Sequence, residues 1–298
     1  MKKDTEMNEM NVGIIGIGML GRAISEHLLQ EGIKIIIYNR TKEKTRDLEN
    51  MGATIASSPK EVAEQSDLVI TIVKDANAVN EISFGNDGII HGLKTGSVVA
   101  DMSTIEPNES QKIYEKFLEK GFDKIDIPVM GGPNVAISGN LVMMISGKKE
   151  ITEKCMPVLE KIASKSFYLG SNPVAHLIKL AMNLQITMLS LALSEGITLV
   201  TKSNNDPKIF LEILNSTYFK TGMSENKAFK MIDGNYEPTF TLDNLKKDIS
   251  TMQKTAEQFK IKLPMLQKAE EVFTNASNMK LGDLDYTGII EYIKRINQ

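Results

Sequence analysis

Hydrophobic and polar positions change rhythm once along this chain. From residue 11 to about 170, short apolar β-rich runs alternate with amphipathic stretches of helical period; after Ser203 the helical period stands alone. The runs at 11–17, 34–39, 68–73, 98–101, 122–127, 140–146 and 166–169 predict strands. Helices are expected between them: one to about residue 31, closed by Gly32, one starting at Ser57-Ser58-Pro59, and others over 76–83, 107–121 and 150–162. Strands alternating with helices predict an α/β fold, a Rossmann-type doubly wound and mostly parallel sheet. The second half predicts only helices: from Asp206-Pro207 to 215, one capped by Ser224 and ending near Gly234, then 241–259, 264–279 and 288–296.

Between the two rhythms lies the longest helical stretch, 172–203. Asn172 is placed to cap it, Pro173 suits a first turn, and no Gly or Pro follows until Gly196. It reads as apolar on all sides, the pattern of a helix buried between two halves of a protein. Lys179 and Asn183 interrupt that apolar length four residues apart, so they share a face. Burying an ammonium without a purpose or partner is costly, which makes the two a candidate catalytic pair.

The first strand ends in Gly16-Ile17-Gly18-Met19-Leu20-Gly21, a G-x-G-x-x-G motif set between a strand and a helix. In that context the first glycine makes a tight turn, the second lets backbone approach a pyrophosphate, and the third lets helix pack on strand. The helix N-terminus would face the phosphates with unpaired N–H groups. An NAD site would carry an acid about twenty residues further on, for the ribose 2′-hydroxyl. Here Asn39-Arg40-Thr41 stands instead, with Lys44 one turn later. Arg40 offers a planar fork, Thr41 a hydroxyl and Lys44 a point charge for a 2′-phosphate. NADP(H) is therefore the expected cofactor, ahead of NAD. These boundaries give a flexible leader at 1–10, a dinucleotide-binding domain at 11–171, a joining helix at 172–203 and an all-helical C-terminal domain at 204–298.

In doubly wound sheets ligands sit beyond the carboxyl ends of the strands. Three loops leave those ends: Val73-Lys74-Asp75, Ser103 to Pro107, and Pro128 to Pro133. Thr104 offers a hydroxyl near the expected nicotinamide end, and Gly131-Gly132 expose amides that suit a carboxylate. Each is equally compatible with plain turn chemistry. In the second half, the charge pair Lys247-Asp248 and the turn Gly282-Asp283-Leu284-Asp285 carry little weight on physics alone.

Composition narrows the function classes. At 298 residues the chain exceeds one ordinary core. A net charge of −3 without a basic block gives no footing for nucleic acid. The single Cys155 precludes an internal disulfide and suits a reducing compartment, the cytoplasm. Three scattered His and that one Cys supply no evident metal-ligand cluster. The charge-free run 180–194 is short for a membrane span, and the leader lacks the apolar core of a secretory signal.

Taken together, Gly13 to Gly21, Asp101-Met102-Ser103-Thr104, Pro128-Val129-Met130-Gly131-Gly132, Lys179 with Asn183, Lys247-Asp248 and Leu281-Gly282-Asp283-Leu284-Asp285 resemble the β-hydroxyacid dehydrogenase family. The resemblance runs from Asn11 to about Lys294. Tyr38-Asn39-Arg40-Thr41 and Ser166 to Gly170 look most like its glyoxylate/succinic semialdehyde reductase branch, which uses NADPH. The resemblance implies Lys179 as the acid/base and Asn183 as a substrate hydrogen-bonder. It also implies cofactor contacts from Thr104 and Lys247, a supporting Asp248, and substrate contacts around Ser103, Met130, Gly131 and Gly132. Two positions depart from the family pattern: Met130 stands where many members carry Ser, and Ala175 where Gly is usual.

The expected activity is hydride transfer between NADPH and a small aldehyde- or keto-acid, such as glyoxylate or succinic semialdehyde, or the matching hydroxyacid such as 3-hydroxyisobutyrate. Lys179, with an ordinary pKa of about 10.4, would be brought toward a useful range by a desolvated cleft. The alternatives are an imine reductase of the same fold, which usually replaces that lysine, and a non-catalytic dinucleotide-binding oligomerisation module. The apolar helical half suggests a homodimer or homotetramer.

Overall fold

A computed structural model of the chain describes residues 10–298. Apart from Met10, the leader expected at 1–10 lies outside the described residues. The chain divides into two compact units within its longest helix, between Lys179 and Leu180.

In the first unit, six parallel strands run in the order β3-β2-β1-β4-β5-β6. They are β1 (Val12–Ile15), β2 (Ile35–Tyr38), β3 (Thr54–Ile55), β4 (Leu68–Thr71), β5 (Val98–Asp101) and β6 (Asp123–Asp126). Every residue of β1, β4 and β5 is buried, which explains their continuous apolar runs. The helices of this unit are α1 (Met19–Gln30), α2 (Arg46–Asn50), α3 (Pro59–Glu64), α4 (Ala76–Phe84), α5 (Pro107–Glu119), α6 (Pro133–Ala136) and α7 (Lys149–Ile162). Ser58 caps α3 and Asp75 caps α4 by accepting backbone N–H bonds at 3.1 and 2.9 Å. Two apolar clusters fill the unit, one holding Ile14, Ile24 and Leu28, the other Ile15, Val69 and Phe117.

A second, three-stranded sheet was not expected. It joins β7 (Val129–Met130), β8 (Leu141–Ile145) and β9 (Ala163–Tyr168), with β7 antiparallel and β9 parallel to β8. The sequence places β7 in a loop because two residues show no period. It starts β9 at residue 166 because Ser164 and Lys165 are polar and exposed on this edge strand. Two-residue β3 escapes the sequence for the same reason as β7.

The long helix is α8 (Val174–Lys202), 29 residues, or about 43 Å at 1.5 Å per residue. It starts two residues later than expected. The Asn172–Pro173 bond is cis, and Asn172, the expected cap, has no hydrogen-bond partner on either side-chain atom. Nor is α8 buried all round. Its buried stripe carries small polar groups, Asn183, Thr187, Ser190 and Ser194, while Leu177, Ile178, Met182 and Leu199 are 37, 38, 40 and 70% exposed. The hydroxyls of Thr187, Ser190 and Ser194 donate to carbonyls of the preceding turn at 2.9, 2.8 and 2.7 Å. Their burial therefore leaves no group unpaired. By length and composition alone α8 could cross a bilayer, which its charge-free run did not suggest. Leu180, Leu184, Ile186 and Leu191 pack instead into the core of the second unit.

That unit is helical: α9 (Pro207–Asn215), α10 (Gly222–Asn226), α11 (Ala228–Asp233), α12 (Leu242–Gln258), α13 (Pro264–Ala276) and α14 (Ile289–Arg295) follow. Its only β pairing among the described residues is the bridge Thr241–Asp285. Ser224, expected as a cap, is the partner of one. Thr221 caps α10, and the two residues exchange bonds in a capping box at 2.9 and 3.0 Å.

Candidate functional site

The glycine motif forms the turn from β1 into α1. At Gly16 φ is +105°, and a Cβ there would stand 2.1 Å from the Ile72 carbonyl oxygen; at Gly21 it would stand 2.0 Å from the Gly16 carbonyl oxygen. Neither position admits a side chain. At Gly18 a Cβ would meet nothing within 4 Å, so backbone there is open to an approaching ligand. Gly18 is also the N-cap of α1, with no side-chain acceptor on the first-turn N–H groups. Those free donors and the helix dipole fit a pyrophosphate. At the start of α1, Met19 is exposed and Leu20 packs on the core.

A cleft of about 470 Å³ opens over this turn, lined by Gly16, Gly18, Asn39, Arg40, Thr41, Lys44, Val73 and Lys74 among others. Asn39 shapes it rather than offering free groups. Its Oδ1 accepts from Ile17 N–H at 2.9 Å and its Nδ2 donates to the Thr41 carbonyl at 2.8 Å. Arg40, Thr41 and Lys44 are exposed at the cleft wall. Arg40, Lys44 and Lys74 make no side-chain hydrogen bond or ion pair among the described residues. Three uncommitted cations at one cleft suit a polyanionic dinucleotide.

The loops beyond β4 and β5 are tied together. Thr71 Oγ1 donates to Asp101 Oδ1 at 2.8 Å, Ser103 N–H to the same oxygen at 3.1 Å, and Val73 N–H to Ser103 Oγ at 3.0 Å. Ser103, expected to touch substrate, is buried and acts here as that strut; Thr104 is half-buried beside it. Beyond β7, Gly131 has φ +119°, and a Cβ would meet Leu141 at 2.6 Å. Gly132 caps α6 with its backbone.

Lys179 is half-buried, its Nζ 3.3 Å from Met130 Sδ. One turn on, in the second unit, Asn183 is buried; its Nδ2 donates to Asp248 Oδ2 at 2.6 Å and its Oδ1 has no hydrogen-bond partner. Asp248 is buried as well, with Lys247 Nζ 2.5 Å from its other oxygen. The charge pair that sequence physics would leave on a solvated face is thus a support that orients the Asn183 amide.

Sequence reasoning missed a buried polar cluster at the carboxyl ends of β5 and β6. Lys124 pairs with Asp126, both with fully buried side chains. Ser110 Oγ donates to Asp126 at 2.9 Å, and His176 Nε2 stands 3.3 Å from Asp126 Oδ1 and 3.8 Å from Asp101 Oδ2. Burial would raise the Asp126 carboxyl, but the Lys124 ammonium and the His176 ring hold it far below the usual carboxylate range. The available signal was Lys124-Ile125-Asp126: two opposite charges two apart in a strand share a face. Asp101, Asp126 and His176 bring one donor atom each within 4.8 Å of one another, a grouping that scattered sequence positions concealed.

Residues 11–170 match the NAD binding domain of 6-phosphogluconate dehydrogenase, and residues 174–293 match the family described as NAD-binding of NADP-dependent 3-hydroxyisobutyrate dehydrogenase. Glyoxylate/succinic semialdehyde reductase 1 of Arabidopsis thaliana is 31% identical over 96% of this chain and 99% of its own. A 3-hydroxyisobutyrate dehydrogenase from Salmonella typhimurium superposes with a TM-score of 0.86 at 27% identity, covering 95% of this chain and 99% of that one. An imine reductase from Myxococcus stipitatus, solved with NADP+, is more distant: TM-score 0.64 and 17% identity, covering 95% and 100%. The chain belongs to the β-hydroxyacid dehydrogenase family, in its 3-hydroxyisobutyrate dehydrogenase-like group. It is an NAD(P)-binding oxidoreductase that acts on CH–OH groups and their carbonyl counterparts.

Proposed function

We propose that the protein is an NADPH-dependent reductase of small aldehyde- or keto-acids, with Lys179 as general acid. The observation that carries the reading is Lys179 Nζ set against Met130, the last residue of β7, in the unit whose glycine turn forms the dinucleotide cleft. Bound NADPH supplies the hydride. Lys179 donates a proton from Nζ to the substrate oxygen as negative charge develops there. Asn183, with one N–H given to Asp248, keeps a second N–H for a carbonyl and a free Oδ1 for the hydroxyl of the alcohol. The Gly131-Gly132 amides hold the carboxylate, and Arg40, Thr41 and Lys44 hold the 2′-phosphate. The glyoxylate/succinic semialdehyde reductase similarity supports this substrate class.

The test is nicotinamide oxidation with glyoxylate, succinic semialdehyde, methylmalonate semialdehyde and a cyclic imine. Turnover of an acid and not of the imine is expected; imine turnover alone would replace this reading with imine reduction. Lys179→Ala should lower turnover by about 10³-fold while NADPH binding stays within about twofold; full activity in that variant would sink the mechanism. Wild type should prefer NADPH over NADH, and Arg40→Asp should cut that preference at least about tenfold. A wild-type preference for NADH would refute the 2′-phosphate assignment.

The same proposal includes a homo-oligomer in the cytoplasm. The exposed Leu177, Ile178, Met182 and Leu199 on α8 offer an apolar face to a second copy.

A further inference from the structure

The cluster of Asp101, Lys124, Asp126 and His176 takes no part in the chemistry above, and it is an unfinished structural pin. Asp126 is well served, by Lys124, by Ser110 and by Ser146 Oγ at 3.4 Å. His176 is not: it is fully buried, and neither ring nitrogen makes a well-formed hydrogen bond. Asp101 Oδ2, 3.8 Å from His176 Nε2, also lacks one. Two carboxylates and an imidazole could ligate a metal. Lys124 already occupies Asp126, however, and an ammonium and a dication compete for one carboxylate. The cluster therefore reads as a charge network whose one adjustable link is the imidazole.

What distinguishes this network is where the chain leads from each member. Asp101 ends β5 and, through Oδ1, holds the backbone of Ser103, next to Thr104. Asp126 ends β6, four residues before Met130. His176 lies in the first turn of α8, three residues before Lys179, and the neighbouring Ala175 N–H donates to Ser146 Oγ at 3.2 Å. Three segments thus converge on one imidazole: the one that carries Lys179, the one that carries its neighbour Met130, and the one that carries Thr104, the expected cofactor contact.

We propose that His176 is a positioning residue for the proposed reduction: its Nε2–H bridges Asp126 and Asp101 and so fixes the first turn of α8, and with it Lys179, against the loop that carries Thr104 and the strand β7 that carries Met130. The inference rests on the reductase reading. It requires the tautomer with the proton on Nε2, the nitrogen that faces both carboxylates. A misplacement of the acid of about 1 Å costs about 100-fold in rate, so a loosened bridge should reach turnover without reaching cofactor affinity.

The experiment compares wild type with His176→Met, which keeps bulk and removes the donor, and His176→Gln, whose Nε2 restores it. His176→Met should lower kcat by about 30-fold, with NADPH Kd and substrate KM within about threefold, and His176→Gln should return kcat to within about threefold of wild type. If His176→Met does not fold, Asp101→Asn gives the same split, because it can keep the Oδ1 acceptor for Thr71 and Ser103 and changes the oxygen that faces His176. A second readout needs no substrate: competitive acylation of Lys179 by acetic anhydride, followed by peptide mass spectrometry against exposed Lys149, should differ between wild type and His176→Met. An inactive wild type would overturn the reductase reading while the acylation rates still test the bridge. Unchanged kcat with unchanged acylation would overturn the positioning role. So would a parallel loss of kcat, NADPH binding and stability that the Gln variant does not recover.

Discussion

Each unit of the molecule buries a carboxylate against a lysine, and the two centres are built to different standards. In the helical unit, Asp285 accepts from Lys227 Nζ at 3.0 and 2.9 Å, from Thr239 N–H and Oγ1 at 3.1 and 2.9 Å, and from Thr287 Oγ1 at 2.8 Å. Lys227 also lies 4.2 Å over the Tyr286 ring. Nothing is left over, and the chain before α12 is pinned to the chain before α14. In the αβ unit, Asp126 is similarly paired, yet His176 and one oxygen of Asp101 beside it are not. A finished network rigidifies and does nothing else; an unfinished one next to candidate reacting groups keeps an adjustable contact. The pair Asn183–Asp248 follows the second pattern, since the Asn183 Oδ1 is also left without a partner.

The largest effect that sharpens this contrast is expected from Asp285→Ala. It strands the Lys227 ammonium, half-buried beside Tyr286, and deletes the acceptor for two threonines. Breaking a buried pair from one side costs about 3–5 kcal/mol. Urea unfolding of Asp285→Ala should show that loss. If the cost is below about 1 kcal/mol, Asp285 is not the pin described here and the contrast between the two centres collapses.

How much of this was legible beforehand depended on whether the signal was periodic and local. The strands β1, β4 and β5 were readable because both faces are buried, so the apolar run is continuous. The glycine turn was readable because its three roles sit within six residues. Two-residue β3 and β7 are too short to show a period, so the second sheet emerged only from the fold. Helix α8 was misjudged on its environment: a hydropathy pattern cannot register that Thr187, Ser190 and Ser194 satisfy their own hydroxyls and so can face inward while Leu199 faces out. Lys179, Asn183 and Asp248 were singled out, two by helical spacing and the third by resemblance. What sequence could not reveal was the partnership of residues 101, 126 and 176, which are joined only through tertiary packing.

The smaller prediction concerns acid. Burial would raise Asp285, but the Lys227 ammonium and the bonds from Thr239 and Thr287 hold it below its ordinary range. A carboxyl whose folded value is depressed adds stability that is present above its unfolded value, about 3.9, and is lost as pH falls through the folded value. Lys227 moves in the other sense: burial lowers it, with Asp285 pulling back. It is protonated in both folded and unfolded chains in this acid window, so its contribution there is constant and the carboxyl governs. Glu291, also depressed despite its burial because Tyr236 and Lys294 bond to it, titrates in the same window but is present in wild type and variant alike. The stability advantage of wild type over Asp285→Asn, measured by urea unfolding, should therefore be greatest above about pH 5 and shrink below about pH 4. It should stay smaller than the loss in Asp285→Ala, because Asn keeps an oxygen in place for Lys227. An advantage that does not vary with pH would mean that the shape of the Asp285 side chain, and not its charge, completes the helical unit's centre.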